Sequence, residues 1–134
     1  MPSFTREQIQ KALSAKSQNL SPDDIRRVAT NKDAVMKMVD EFPAQWEKAQ
    51  KQAKVLFELI RAAATGKMDV HPDELKEAAG ALIYLGAPVD IIPDDEKDGY
   101  ADDAAVIGLA ISKTEKHVRA YCEMAGLNAA DYFD

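Results

Sequence analysis

Between Pro43 and Gly66 the apolar residues Trp46, Ala49, Ala53, Leu56, Phe57, Ile60 and Ala64 recur mostly three and four positions apart, a spacing that lines one face of an α-helix. Pro43 fits the start of such a helix and Gly66 fits its left-handed stop. A long helix with one apolar stripe must be covered by other elements, and these are predicted to be helices too. No stretch of the chain alternates apolar and polar residues for long enough to make a strand.

The flanking segments carry helix-start signals. In Phe4-Thr5-Arg6-Glu7-Gln8-Ile9, Thr5 is placed to cap a helix beginning at Arg6. Gln8 completes a capping box, and Phe4 faces Ile9 as a hydrophobic staple. Ser21 followed by Pro22, Asp23 and Asp24 predicts a second helix, since proline lacks only an N–H that the first turn leaves unused and acids favour the positive helix end. Thr30 or Asn31 is expected to cap a third helix carrying Val35, Met38 and Val39, ending before Pro43. His71-Pro72-Asp73-Glu74 opens another, with Leu75, Ala78, Ala79, Leu82 and Ile83 on one side, ending near Gly86 and Pro88. One last long helix is expected from about Ala101 to Ala125, stopped by Gly126. The expectation is an all-α, single-domain bundle over residues 1–134, with about five to six helices and a helix–acidic loop–helix hairpin near the C-terminus.

A chain of 134 residues can bury roughly two-thirds of its unfolded surface in one core without a staple. The single cysteine, Cys122, excludes an intramolecular disulfide, and Met1 leads directly into a polar helix start; both fit a cytoplasmic setting. The longest apolar run, Ala78 to Val89, has 12 residues, short of the ~20 that span a bilayer. Residues 1–67 carry a net charge of +4 and residues 68–134 a net charge of −10. That acidic total argues against nucleic acid as a partner, because phosphate backbones reward clustered cations. Basic and acidic faces are expected to offset each other partly within the fold.

The most specific segment is Gly80 to Val106, GALIYLGAPVDIIPDDEKDGYADDAAV. Tyr84, Leu85, Pro88, Asp90, Pro93 and Asp94 end a small-residue helix, and Gly99, Tyr100, Asp102 and Asp103 open the next. This arrangement resembles the YkvA-like bacterial domain family, whose function is unknown. The motif covers about 27 residues, and a looser likeness of helical layout runs from about residue 43 to 121. The resemblance implies a helical hairpin in which Tyr84, Pro88, Pro93, Gly99 and Tyr100 are structural motif positions. It also implies membrane association for many members. The present chain departs from the family in the connection, where Asp95-Glu96-Lys97-Asp98 replaces apolar residues; carboxylates disfavour an anionic lipid surface.

Two readings of the aspartates compete. Asp90, Asp94, Asp102 and Asp103 could supply oxygen ligands to Mg²⁺ or Ca²⁺. From Asp94 the loop matches an EF-hand frame at positions one, three, five, six, seven and nine, but Ala105 stands where the bidentate Glu should close the shell. The structural reading has Asp102 or Asp103 accepting backbone N–H bonds at the helix start and Asp90 forming an Asx-turn. The structural reading leads, with no cofactor required. Catalysis by a carboxylate pair stands third, because it needs one member desolvated.

Elsewhere, His71 and His117 lack zinc-ligand spacing and read as surface residues, while Cys122 shares a helix face with Val118 and Ala125 and reads as core. Trp46 reads as a packing anchor and Tyr100 as a plug for the loop. Tyr132-Phe133 either docks back or engages a partner. Phosphate-binding glycine loops, dinucleotide fingerprints and nucleophile elbows are missing from the sequence, so an enzyme is not the leading expectation. That leading expectation is a protein-interaction or regulatory module acting through the acidic helix–loop–helix; it needs an apolar patch beside the loop. A metal-dependent hydrolase would need converging carboxylates. Peripheral membrane association would need Leu85, Ile91 and Ile92 to face solvent.

Overall fold

The computed structural model describes residues 5–85 and 101–133, save the side chains of Pro72 and Asp102. Among the described residues there are seven α-helices and no strand: α1 (Arg6–Ser17), α2 (Pro22–Thr30), α3 (Lys32–Asp40), α4 (Glu47–Ala64), α5 (Lys76–Leu85), α6 (Ala101–Lys113) and α7 (Glu115–Ala125). Single 3₁₀ turns at Ala44–Trp46, Pro72–Leu75 and Ala129–Tyr132 complete the order. The all-α expectation therefore holds.

Local chemistry sets the first helix starts. Gln8 N donates to Thr5 Oγ1 at 3.1 Å while Thr5 N donates to Gln8 Oε1 at 2.7 Å, so two otherwise orphaned amides are satisfied reciprocally. Ser21 and Asp24 repeat the device at α2, at 3.1 and 3.0 Å. Asn31 makes no side-chain cap to α3. It is at once the last cap of α2 and the first of α3, with φ −101° and ψ 43°, and this is not the extended backbone from which a side chain reaches the next amides. At α5 the opening turn is 3₁₀: His71 Nδ1 accepts from Asp73 N at 3.1 Å, and Glu74 Oε2 accepts from His71 N at 3.2 Å.

One expected element is different. The single helix over 101–125 is two helices, divided at Thr114, where φ is −110° and ψ is 18°. Thr114 is buried, and its hydroxyl donates to the Ala110 carbonyl at 2.7 Å. Back-bonding of this kind bends helices. The break lets α7 lay Val118 and Cys122 into the core against α4.

Helix α4 is the hub, packed by α2, α3, α5, α6 and α7. Ala49, Ala53, Leu56, Phe57 and Ile60 are buried as their spacing predicts, but so are Val55, Leu59 and Ala62, whereas Ala64 is exposed. The covered arc is wider than one stripe because neighbours flank the helix on several sides. Helix α5 packs on α1, α4 and α6. A Cβ added at Gly80 would lie 2.7 Å from Ser17 Cβ and 3.1 Å from the Ser17 backbone, so glycine is what lets α1 and α5 approach. The buried Ser17 hydroxyl donates to the Leu13 carbonyl at 2.8 Å.

Gly80→Ala and Gly108→Ala are expected to shift stability in opposite directions. A methyl at Gly80 collides with α1 and should destabilise by about 1–3 kcal/mol. At Gly108, within α6, an added Cβ meets nothing within 4 Å, and alanine should stabilise by about 0.5–1 kcal/mol through helix propensity alone. Urea melts of the two variants check the signs. A second expectation concerns acid. The amide and hydroxyl of Ser21 hold the Asp24 carboxyl below its ordinary value of 3.8, aided by Arg27. A lowered folded-state value adds stability above pH 3.8 that is lost as pH falls through that lower value. The stability gap between wild type and Asp24→Ala should accordingly close on acidification below that range, as read by thermal melts.

Candidate functional site

Helices α5 and α6, which flank residues 86–100 in sequence, pack against each other and against α1. Helix α5 is apolar and small: Ala78, Ala79, Gly80, Ala81 and Leu82 are all buried, and Tyr84 is buried at its end. Helix α6 answers with Val106, Ile107, Ala110 and Ile111. These two faces meet in the α5–α6 contact.

Of the four aspartates, Asp90 and Asp94 lie outside the described residues, as do Pro88, Pro93, Gly99 and Tyr100. Asp102 is the second residue of α6, in the turn where the helix dipole favours a carboxylate. Asp103 is the third, only 7% exposed, and it is not without a partner. It heads a buried stripe that continues through Val106, Ile107, Ala110, Ile111 and Thr114. Its carboxylate therefore belongs to the packed side of α6. Extending the stripe one turn back from Val106 places Asp103 on it from sequence alone. Among the described residues no group of three or more His, Cys, Asp or Glu could hold a metal ion.

A second feature involves the last turn of α5. Val28 of α2, Ala34, Val35 and Met38 of α3, and Leu82 and Ile83 of α5, with Asn31 between, line an apolar groove of about 210 Å³. Leu82 and Ile83 stand in the last turn of α5, which ends at Leu85, half-buried on the core. Sequence spacing put Val35, Met38, Leu82 and Ile83 on helices but gave no sign that α3 and α5 would leave a groove between them. The signal missed was tertiary: it depends on how α2 and α3 meet α5.

The remaining candidates are structural. His71 is exposed and caps the turn before α5. His117, expected at the surface, is largely covered, with Nε2 4.0 Å from Glu74 Oε1. Trp46 packs against the core, and its Nε1 has no hydrogen-bond partner among the described residues. Cys122 is buried, and that burial pushes its thiol above the ordinary range, away from a nucleophile. No helix among the described residues is long and apolar enough to cross a membrane. No protein-family model, curated protein or solved structure matches the chain.

Replacing Asp103 by Ala is expected to cost about 1–3 kcal/mol, because a buried, partnered carboxylate in the first turn of α6 is removed. Replacement of the exposed Asp131 should change the urea midpoint little. Equal, small effects would return Asp103 to the surface.

Proposed function

We propose that the protein is a binding module of the YkvA-like family. It docks a protein segment that carries apolar and basic side chains together, and its action does not require turnover. The observation that carries this reading is the apolar groove between α3 and α5. Groove residues Leu82 and Ile83 immediately precede a stretch holding Asp90, Asp94, Asp95, Glu96 and Asp98 against Lys97 alone. Apolar side chains of a partner fill the groove while its cations meet the carboxylates, the division of labour by which interfaces combine affinity with specificity. Tyr84 and Asp103, buried at the two flanks, anchor the segment to rigid helices, the usual setting for recognition loops. Family membership rests on the typed positions from Tyr84 to Asp103. The single buried Cys122 fits a reducing cytoplasm. The acidic charge disfavours nucleic acid and anionic membrane as partners.

Photo-crosslinking residues placed at Met38, in the groove, and at Glu96, in the acidic stretch, test the proposal in cells. Both positions are expected to trap the same protein, through a peptide that contains basic and apolar residues. Crosslinking should fall by about tenfold or more when Asp94, Asp95, Glu96 and Asp98 are made amides. Unrelated or absent products from the two positions would sink the reading. A large, saturable rise in melting temperature with millimolar Mg²⁺ or Ca²⁺, lost in Asp94→Asn with Asp102→Asn, would replace it with the metal-dependent one.

A further inference from the structure

After Gly126 the chain folds back over the outside of the bundle. Gly126 adopts φ 74°, a left-handed conformation that closes α7, and Leu127 N donates to the Cys122 carbonyl at 2.8 Å. Asn128 Oδ1 then accepts from Ala130 N at 3.1 Å, which winds Ala129–Tyr132 into a 3₁₀ turn lying on α4 and α7. Among the described residues, two side-chain contacts fasten its far end. Gln52 Nε2 of α4 donates to the Tyr132 carbonyl at 2.9 Å. The Arg119 guanidinium of α7 stands 4.4 Å from the centre of the Phe133 ring, while its Nε donates to Glu115 Oε2 at 2.8 Å.

This segment is held differently from the helices beneath it. None of residues 127–133 is fully buried, and Leu127 is 44% exposed, beside Met124 at 49%. Phe133 borders an open cleft of about 420 Å³ lined also by Gln52, Ile111, Ser112 and Glu115, so one side of its ring has little to lose on leaving. Cys122 of α7, the helix this turn packs on, is 0% exposed and lies near enough to Asp131 and Tyr132 for their charges to act on one another. Burial holds the Cys122 thiol and the Tyr132 phenol above their ordinary values, with Asp131 adding to both shifts. Segments with few buried contacts and peripheral hydrogen bonds are those that open below the free energy of global unfolding.

We infer that residues 127–133 form a strap that opens as a unit on the Gly126 hinge while the helices stay folded, uncovering the face where α4 meets α7. The strap's attachments, the Gln52–Tyr132 bond and the Arg119–Phe133 contact, set how often it opens. Cys122, the one thiol of the chain, reports each opening.

N-ethylmaleimide on the full-length protein reads this directly. The Cys122 thiolate sulfur adds to one alkene carbon, forming a C–S bond; water protonates the other carbon and nothing leaves. Labelling should proceed at a rate nearly independent of urea well below the unfolding midpoint, since local opening exposes little surface. Gln52→Met and Phe133→Ala should each accelerate it by about tenfold or more with the urea midpoint almost unmoved. A labelling rate that climbs with urea at the slope of global unfolding in every variant would overturn the inference. Hydrogen exchange gives a second arm. Faster exchange of the strap amides than of α4 supports the strap, and exchange of both as one cooperative unit refutes it.

Discussion

Five consecutive buried residues, Ala78 to Leu82, impose the constraint on which the remaining architecture depends. A helix buried over five positions in succession has no solvent side, so α5 must be enclosed by α1, α4 and α6, as it is. Alanine and glycine contribute little apolar area of their own, and the hydrophobic stabilisation has to come from the larger side chains that close around them. Leu13 from α1, Leu56, Phe57 and Ile60 from α4, and Val106 and Ile107 from α6 fill that role; all are essentially inaccessible. The slimness of α5 is what lets those side chains reach one another. At Gly80 the approach is so close that even one methyl group would meet the backbone of Ser17.

That enclosure fixes the chemistry at the end of the bundle. Helix α5 delivers the chain to the acidic segment, and α6 receives it, with Tyr84 and Asp103 buried on either side. A carboxylate on the packed side of a helix is costly unless it is partnered, and Asp103 is not free. It stands in the first turn, where the helix dipole favours its charge. Its place three residues before Val106 puts it on the buried stripe of α6. This is a physical reason to treat Asp103 as part of the scaffold.

The parts of the fold that were legible in the sequence are those decided within a few residues. The capping boxes at Thr5 and Ser21, the αL stops at Gly66 and Gly126 and the α4 stripe all depend on local backbone geometry or on periodicity. What sequence did not disclose depends on neighbours. Thr114 lies in Ser112-Lys113-Thr114-Glu115-Lys116, which reads as well in a continuous helix as in a broken one. Its hydroxyl turns to the Ala110 carbonyl because the site is buried and offers the hydroxyl that acceptor. Likewise Val55 and Leu59 are buried beyond the predicted stripe because α4 is flanked on several sides. Of the candidate site, its position between α5 and α6 was legible from Tyr84 and Asp103, but the groove formed with α2 and α3 was not.

The ion pairs give a final argument about what the charge is for. Lys11–Glu7, Arg26–Asp23, Arg27–Asp24, Lys51–Glu47 and Arg119–Glu115 join residues three or four apart on single, exposed helix faces. Lys54–Asp40 links α4 to α3. Each of these pairs, drawn from the described residues, falls within one half of the chain. Exposed pairs of this kind contribute roughly 0–1 kcal/mol each, too little to explain so lopsided a distribution as a means of stability. A long-range field acts instead on encounter: it raises association rates for a partner of opposite sign, falls with salt, and leaves dissociation to the desolvated contacts. On the proposed binding function, the carboxylates and the apolar groove would govern different steps of the same event, attraction belonging to the charge and residence time to the groove.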